Sequence, residues 1–357
     1  MTEANKAVDP YAKPATGFAP VTADVGLTEY MVARIRACRT LLALMVAIGV
    51  PSLNGAGAVA QPTWQPFRWL AADVGSTRLE RAALAIPVNI RGLPGDHCFQ
   101  LDLGATVSYL HGGSVEDLDS RFEIRSNGMT VSGTVGGVVV EDEPVEVLRG
   151  FRATFVKGQR MLVVGTLGLS FFERRTLVLD YPGRRFMLLP ADAVLPGDLA
   201  SRVTFIRAVH RNGKLYVPIE VAGVAEEGIF FDSGASSFSL VTSPQEWRRL
   251  TGRRGDESSN RRMTVSSWDT DITMVGAPMT GALRVGPVVR RRPVIWFTPD
   301  SRFSFDNWPS TTGMFGNELF ADQFIVVVDV PHGRVGVAAS DTAQPNKRLH
   351  PTAAARR

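Results

Sequence analysis

Two aspartates have the type and setting that chemistry requires. Asp102 opens the run Asp102-Leu103-Gly104-Ala105-Thr106, and Asp232 opens Asp232-Ser233-Gly234-Ala235-Ser236. Each follows an apolar stretch and leads into a turn containing glycine, a residue that lets the backbone take a path a side chain would block. Two carboxylates at contact distance cannot both ionise cheaply, so one pKa rises and the other falls. The pair then offers a base and an acid side by side. The ionised member can take a proton from water as it attacks a peptide carbonyl, and the neutral member can donate to the carbonyl oxygen. Neither a covalent intermediate nor a metal is needed, and no cofactor is expected. The competing readings are a loop-capping Asp102 in a lobe that keeps its fold without the chemistry, and an Asp232 that only serves an Asp-Ser-Gly turn.

Other chemistries find little support. The five histidines (His97, His111, His210, His332 and His350) show no metal-ligand spacing. There is no glycine-rich phosphate loop and no Ser-His-Asp constellation that rises above chance.

The elements that must position the aspartates occur twice. The first aspartate lies in IPVNIRGLPGDHCFQLDLGATVSYL and the second in VPIEVAGVAEEGIFFDSGASSFSL. Pro87 precedes Asp102 by 15 positions, and Pro218 precedes Asp232 by 14. The later parts match as well: VVGTLGLSFFERRTLVLDYPGRRFML against TGMFGNELFADQFIVVVDVPHGRVGVA. Both end in Asp-x-Pro-x-Gly-Arg or its near equivalent, a hairpin signal into a last strand. Asp180 and Asp329, at those hairpins, read as structural. Such self-similarity marks a duplicated unit. Gly (34) and Pro (22) between short Val-rich runs make the chain mostly β. The expected architecture is all-β: a first lobe over 61–195, a second over 196–340, a linker at 191–200 and a cleft between lobes. The second unit is longer, with insertions expected at 250–262 and 298–312.

On these motifs the sequence resembles the pepsin/retropepsin-like aspartic proteases across nearly all of 80–340. Phe231-Asp232-Ser233-Gly234-Ala235-Ser236 fits that family's active-site pattern fully. Thr166-Leu167-Gly168 and Met314-Phe315-Gly316 fit its supporting strand, which implies that Gly168 and Gly316 pass beneath the active-site loops. The resemblance implies two retropepsin-like β-barrel lobes related by pseudo-twofold symmetry, Asp102 and Asp232 as catalytic residues, and an extended peptide or protein substrate. It also implies a glycine-rich hairpin flap, placed here at 128–140 with Gly133, Thr134, Val135, Gly136 and Gly137. The second-lobe counterpart is 263–275, with Trp268 near its tip. Tyr109 either lines the cleft or packs in the core, with core favoured. One departure matters: the family's hydroxyl after the first aspartate is replaced by Leu103. That hydroxyl would tie the two loops across the lobes, so its loss motivates a second reading, an impaired pseudo-protease that binds extended peptides without cutting them.

Composition sets the context. The net charge of +4 comes from the ends: residues 341–357 carry +3 and residues 1–60 carry +1, which leaves 61–340 neutral. No footprint for nucleic acid results. The arginines of 251–263 and Arg290-Arg291-Arg292 read as a solvated face. Arg34, Arg36 and Arg39, the apolar run 41–50 and Ala58-Val59-Ala60 together form a secretory signal, with cleavage expected after Ala60. The expected location is periplasmic or secreted. Because a signal ordinarily opens a chain, Met31 is a candidate initiator; the alternative is a long leader that leaves the segment uncleaved as an anchor. Cleavage leaves Cys98 as the single cysteine, so no internal disulfide is expected. The tail after Ser340 is expected to be disordered. A monomer is expected, with a homodimer that pairs two Asp232 residues as the alternative.

Overall fold

The computed structural model describes residues 63–342, apart from 76, 154, 156–161, 269, 306, 307 and 309. The signal segment, its cleavage site, the leader and nearly all of the tail lie outside the described residues. Among the described residues no helix is long and apolar enough to cross a membrane.

The chain is built from β-strands in two lobes of the same plan. In the first lobe the long strand Thr77–Ile90 pairs antiparallel with Leu93–Leu101. Leu84, Ile86, Val88 and Ile90 alternate into the main core, while Ala83 and Ala85 face a smaller cluster with Cys98 and Val163. This is the period-two pattern of a strand buried on both faces. Leu93–Leu101 then runs parallel to Leu162–Leu167, which pairs antiparallel with Tyr109–His111. Tyr109–His111 in turn runs parallel to Val138–Leu148.

The second lobe repeats this crossing. Ile229–Phe231 runs parallel to Gly313–Phe315, Val241–Thr242 pairs antiparallel with that strand, and Val241 pairs in parallel with Trp296. In both lobes the strand that ends at the aspartate therefore lies beside the strand that carries the supporting glycine. The duplicated sequence folds as a duplicated topology.

A six-stranded antiparallel sheet joins the lobes, three strands from each. Arg175–Asp180 and Phe324–Asp329 meet at its centre, with Val178 opposite Val327. The two hairpin aspartates are tied alike. Asp180 accepts from Arg185 Nε at 2.8 Å, and Asp329 accepts from Arg334 Nε at 2.6 Å. Each also accepts a hydroxyl from the other lobe: Ser340 Oγ donates to Asp180 at 2.7 Å and Thr176 Oγ1 to Asp329 at 3.1 Å. These aspartates hold the lobes together and take no part in the cleft.

The linker 191–200 runs into a short helix, Gly197–Arg202. The extra length of the second lobe has two forms. Residues 252–260 are turns after the helix Pro244–Thr251, and 298–312 place Phe305 in a second apolar cluster that also packs Phe303 and Trp308. Cys98 is free and buried, and burial pushes its thiol up to about 11. The thiolate that redox chemistry needs is thereby suppressed.

Candidate active site

Asp102 and Asp232 face each other across the lobe boundary. Their loops are near copies. The Asp102 amide donates to Leu167 O at 3.0 Å and the Asp232 amide to Phe315 O at 2.9 Å. Asp102 Oδ1 accepts from the amides of Gly104 (2.9 Å) and Ala105 (3.1 Å). Asp232 Oδ1 accepts from those of Gly234 (2.8 Å) and Ala235 (3.1 Å). Each carboxylate is held in one orientation by its own turn, as a reacting group must be.

The glycines have a use the sequence did not disclose. Neither Gly104 nor Gly234 has a positive φ, so neither is present for backbone freedom. A Cβ on Gly104 would lie 2.4 Å from Asp232 Cγ, and a Cβ on Gly234 would lie 2.5 Å from Asp102 Cγ. Each lobe's glycine makes room for the other lobe's carboxylate. Gly168 and Gly316 are required one layer below: a Cβ there would lie 2.1 Å from Val107 O and 2.0 Å from Ala235 O respectively. Both supporting strands press directly on the active-site loops.

The two carboxylates are hydrogen-bonded to each other and shift one another's proton affinity in opposite directions: Asp232 raises that of Asp102, and the bond from Asp102 lowers that of Asp232. Asp102, 8% exposed, is raised to about 8, by burial first and by the charge of Asp232 second. Asp232 retains more open surface and is raised by desolvation, while the hydrogen bond from Asp102 works in the opposite direction. The pair therefore binds protons as one coupled unit, with Asp102 held well above the usual carboxylate range.

The braces around the pair are asymmetric. Ser233 Oγ accepts from the Leu103 amide at 2.9 Å and donates to Leu101 O at 3.2 Å, a tie from the second lobe into the first. Leu103 cannot return it; its side chain is fully buried in the main core. The second-lobe loop has a further support that sequence reasoning missed. Asn317, fully buried, donates through Nδ2 to Ser233 O (2.8 Å) and Ser236 Oγ (2.7 Å), and accepts from Tyr181 Oη of the first lobe at 2.7 Å. The signal was available: Gly316-Asn317 matches Gly168-Leu169 in the repeat, and an amide in place of a leucine at a buried position needs partners.

Lys214 was also missed. It lies four residues before Pro218, where the first unit has Ala83 four before Pro87. Its strand, Lys214–Tyr216, is buried throughout, and its ammonium donates to the carbonyl of Gly104 in the other lobe. Of the remaining loop residues, Ala105 and Ala235 are buried. Thr106 is exposed and lies against the turn at Gly213, where a Cβ would come 2.2 Å from its Cγ2.

The hairpin assigned to the flap is elsewhere. Val135, Thr134 and Gly133 pair with Val88, Asn89 and Ile90, whereas the strand residue level with Leu101 is Leu84. At about 3.3 Å per residue, the paired residues Gly133, Thr134 and Val135 lie roughly 13–20 Å along the strand from the level of Leu101. Its turn instead touches the inter-lobe sheet: a Cβ on Gly136 would lie 2.2 Å from Phe186, and one on Gly137 would lie 3.3 Å from Gln65. The 128–140 hairpin closes the first-lobe barrel and does not cover the pair. The second-lobe hairpin, Arg261–Ser267 with Thr270–Pro278, reaches across instead. Trp268 in its turn packs on Tyr109 (5.1 Å, edge to face) and Phe151 (5.5 Å) of the first lobe. Tyr109 is only partly buried, and its hydroxyl is pushed up to about 12 by burial first, then by Glu146 and Asp102. It borders the carboxylates and is not a core residue.

No protein-family model matches the chain, and no curated protein does. Similar solved structures include an aspartic proteinase from Irpex lacteus, at TM-score 0.43 and 10% identity over 79% of this chain and 98% of that one. Basic 7S globulin from soybean is similar at TM-score 0.41 and 12% identity, over 79% of this chain and 95% of that one. Conglutin gamma, a basic 7S globulin from lupine seeds, gives TM-score 0.41 and 12% identity, over 78% and 96%. These are likenesses of fold, and the chemistry rests on the site itself.

Proposed function

We propose that the chain is an exported aspartic-type endopeptidase whose reacting groups are Asp102 and Asp232. The observation that carries this is reciprocal: each lobe gives up a side chain, at Gly104 and at Gly234, so that the two carboxylates meet. A pair of turn residues would have no need of that space. Asp232, charged and the more open of the two, takes a proton from water as the water oxygen bonds to the peptide carbonyl carbon. Asp102 gives its proton to the carbonyl oxygen. When the tetrahedral species collapses, Asp232 passes its proton to the departing amine and Asp102 recovers one from a hydroxyl of the former carbonyl. Export rests on the segment Met31–Ala60, and an uncut substrate would lie extended between the pair and the Trp268 hairpin.

The test is to incubate the mature chain with a degenerate peptide library and map new termini by mass spectrometry. Internal cleavage is expected. Leu103 supports a second reading, an impaired relative that holds peptides by strand addition. Saturable binding without new termini, unchanged in Asp102→Asn, would favour that reading over the enzyme.

Trp268 gives a separate expectation. Aromatic anchors in a binding cleft are commonly worth 1–2 kcal/mol or more. Trp268→Ala should raise KM for a cleaved peptide by about tenfold and leave kcat within about threefold. An unchanged KM would remove the second-lobe hairpin from the substrate site.

A further inference from the structure

Lys214 has a place that neither the repeat nor the two-carboxylate chemistry explains. It is 6% exposed, and its ammonium donates to Gly104 O. It stands 5.5 Å from the Phe230 ring and 5.8 Å from the Trp308 ring. The charged groups that act on it are Asp232 and Asp102; burial pulls its proton affinity down and both carboxylates pull it back up. A lysine is rarely enclosed in this way unless its charge is matched. Here the partners are the two carboxylates of the pair, both of which favour the charged form of the lysine.

We propose that Lys214 is a positioning residue for the acid pair, supplying from the second lobe the tie that Leu103 cannot make and a fixed positive charge beside the two carboxylates. Gly104 is the residue whose backbone abuts Asp232, so holding its carbonyl sets how closely the first-lobe loop approaches that carboxylate. Together with Ser233, the tie braces the first-lobe loop from the other lobe as well as from its own supporting strand. The charge has its own consequence. A cation beside an acid pair favours its ionised form, so both proton-loss steps of the pair lie at lower pH than they would without it. The endopeptidase reading is assumed for turnover but not for the ionisation of the pair.

Two variants separate the tie from the charge. Lys214→Met removes both, whereas Lys214→Gln keeps a hydrogen-bond donor and removes the charge. The ionisation steps are read by carbon-13 NMR of labelled aspartate carboxyls, which needs no substrate. Both steps are expected to move up by about one pH unit or more in either variant. For peptide cleavage, kcat at each variant's own pH optimum should fall about tenfold or more in Lys214→Met and less than threefold in Lys214→Gln. Adding Leu103→Thr to Lys214→Met should return most of the lost kcat and leave the steps displaced. Unmoved ionisation steps in a folded variant would overturn the charge role, and equal kcat for Met and wild type would overturn the tie. If Lys214→Met does not fold, the Gln variant still decides the charge role. Absence of peptide cleavage by the wild type would count against the endopeptidase reading and leave the ionisation result standing.

Discussion

Asp232→Asn is expected to lower kcat for peptide cleavage by roughly 10²–10⁴-fold, the usual worth of a positioned acid or base, in a protein that stays folded. The asparagine side chain has nearly the shape of aspartate, and its Oδ1 can still accept the Gly234 and Ala235 amides that shape the turn. What disappears is the group that takes the proton from water. Asp102→Asn removes the donor and is expected to fall as far. If Asp232 served only its turn, asparagine would replace it with cleavage unchanged, since Asn is as well suited to turns as Asp. Circular dichroism and the melting temperature of both variants distinguish lost chemistry from lost structure.

Gly234→Ala is the second large effect, and it involves no titratable group. The added methyl would lie 2.5 Å from Asp102 Cγ and 2.6 Å from both carboxyl oxygens. Ordinary contact is nearly an ångström longer, so the second-lobe loop or the Asp102 side chain must yield by that distance. A displacement of about 1 Å in a reacting group can lower rate by about 10²-fold. Forcing a methyl into a filled interior costs about 1–3 kcal/mol of stability. Gly104→Ala should do the same from the other side, since its methyl would lie 2.4 Å from Asp232 Cγ. Both alanines sit comfortably in the backbone conformations already present, so a loss of kcat with a modest fall in melting temperature identifies crowding of the pair as the cause. Full activity in either variant would mean that the carboxylates do not work at this separation.

Much of the fold was legible because the signals are local and occur twice. Asp-x-Gly, the strand ending in Gly168 or Gly316 and the hairpin at Asp180 or Asp329 each specify a short piece of backbone. Their repetition in the same order specified two lobes of one plan. Even the break in symmetry at Leu103 could be read, because a leucine stands where the repeat offers a serine. The features that were missed depend on partners far along the chain. Lys214 meets Gly104 across 110 positions and Asn317 meets Tyr181 across 136. The docking of the two lobes through the six-stranded sheet brings these residues together. The flap was misplaced for a related reason. Both 128–140 and 263–275 read as glycine- or turn-bearing hairpins, and which one reaches the carboxylates depends on register. Val135 pairs with Val88 and so fixes the first hairpin at the far end of its strand, while the turn at Trp268 is carried across to Tyr109. Gly104 and Gly234 were read from the sequence as backbone freedom, whereas the space they leave is filled by the opposite aspartate.

On the proposed mechanism Asp102 and Asp232 are one hydrogen-bonded pair sharing one proton. Titration of carbon-13-labelled aspartate carboxyls, assigned by comparison with Asp102→Asn and Asp232→Asn, tests it without any substrate. Two widely separated steps are predicted for the pair, with the proton on Asp102 lost only near pH 8 and that late step moved well down in Asp232→Asn. Two independent steps in the ordinary carboxylate range, unaffected by replacing the opposite aspartate, would contradict it.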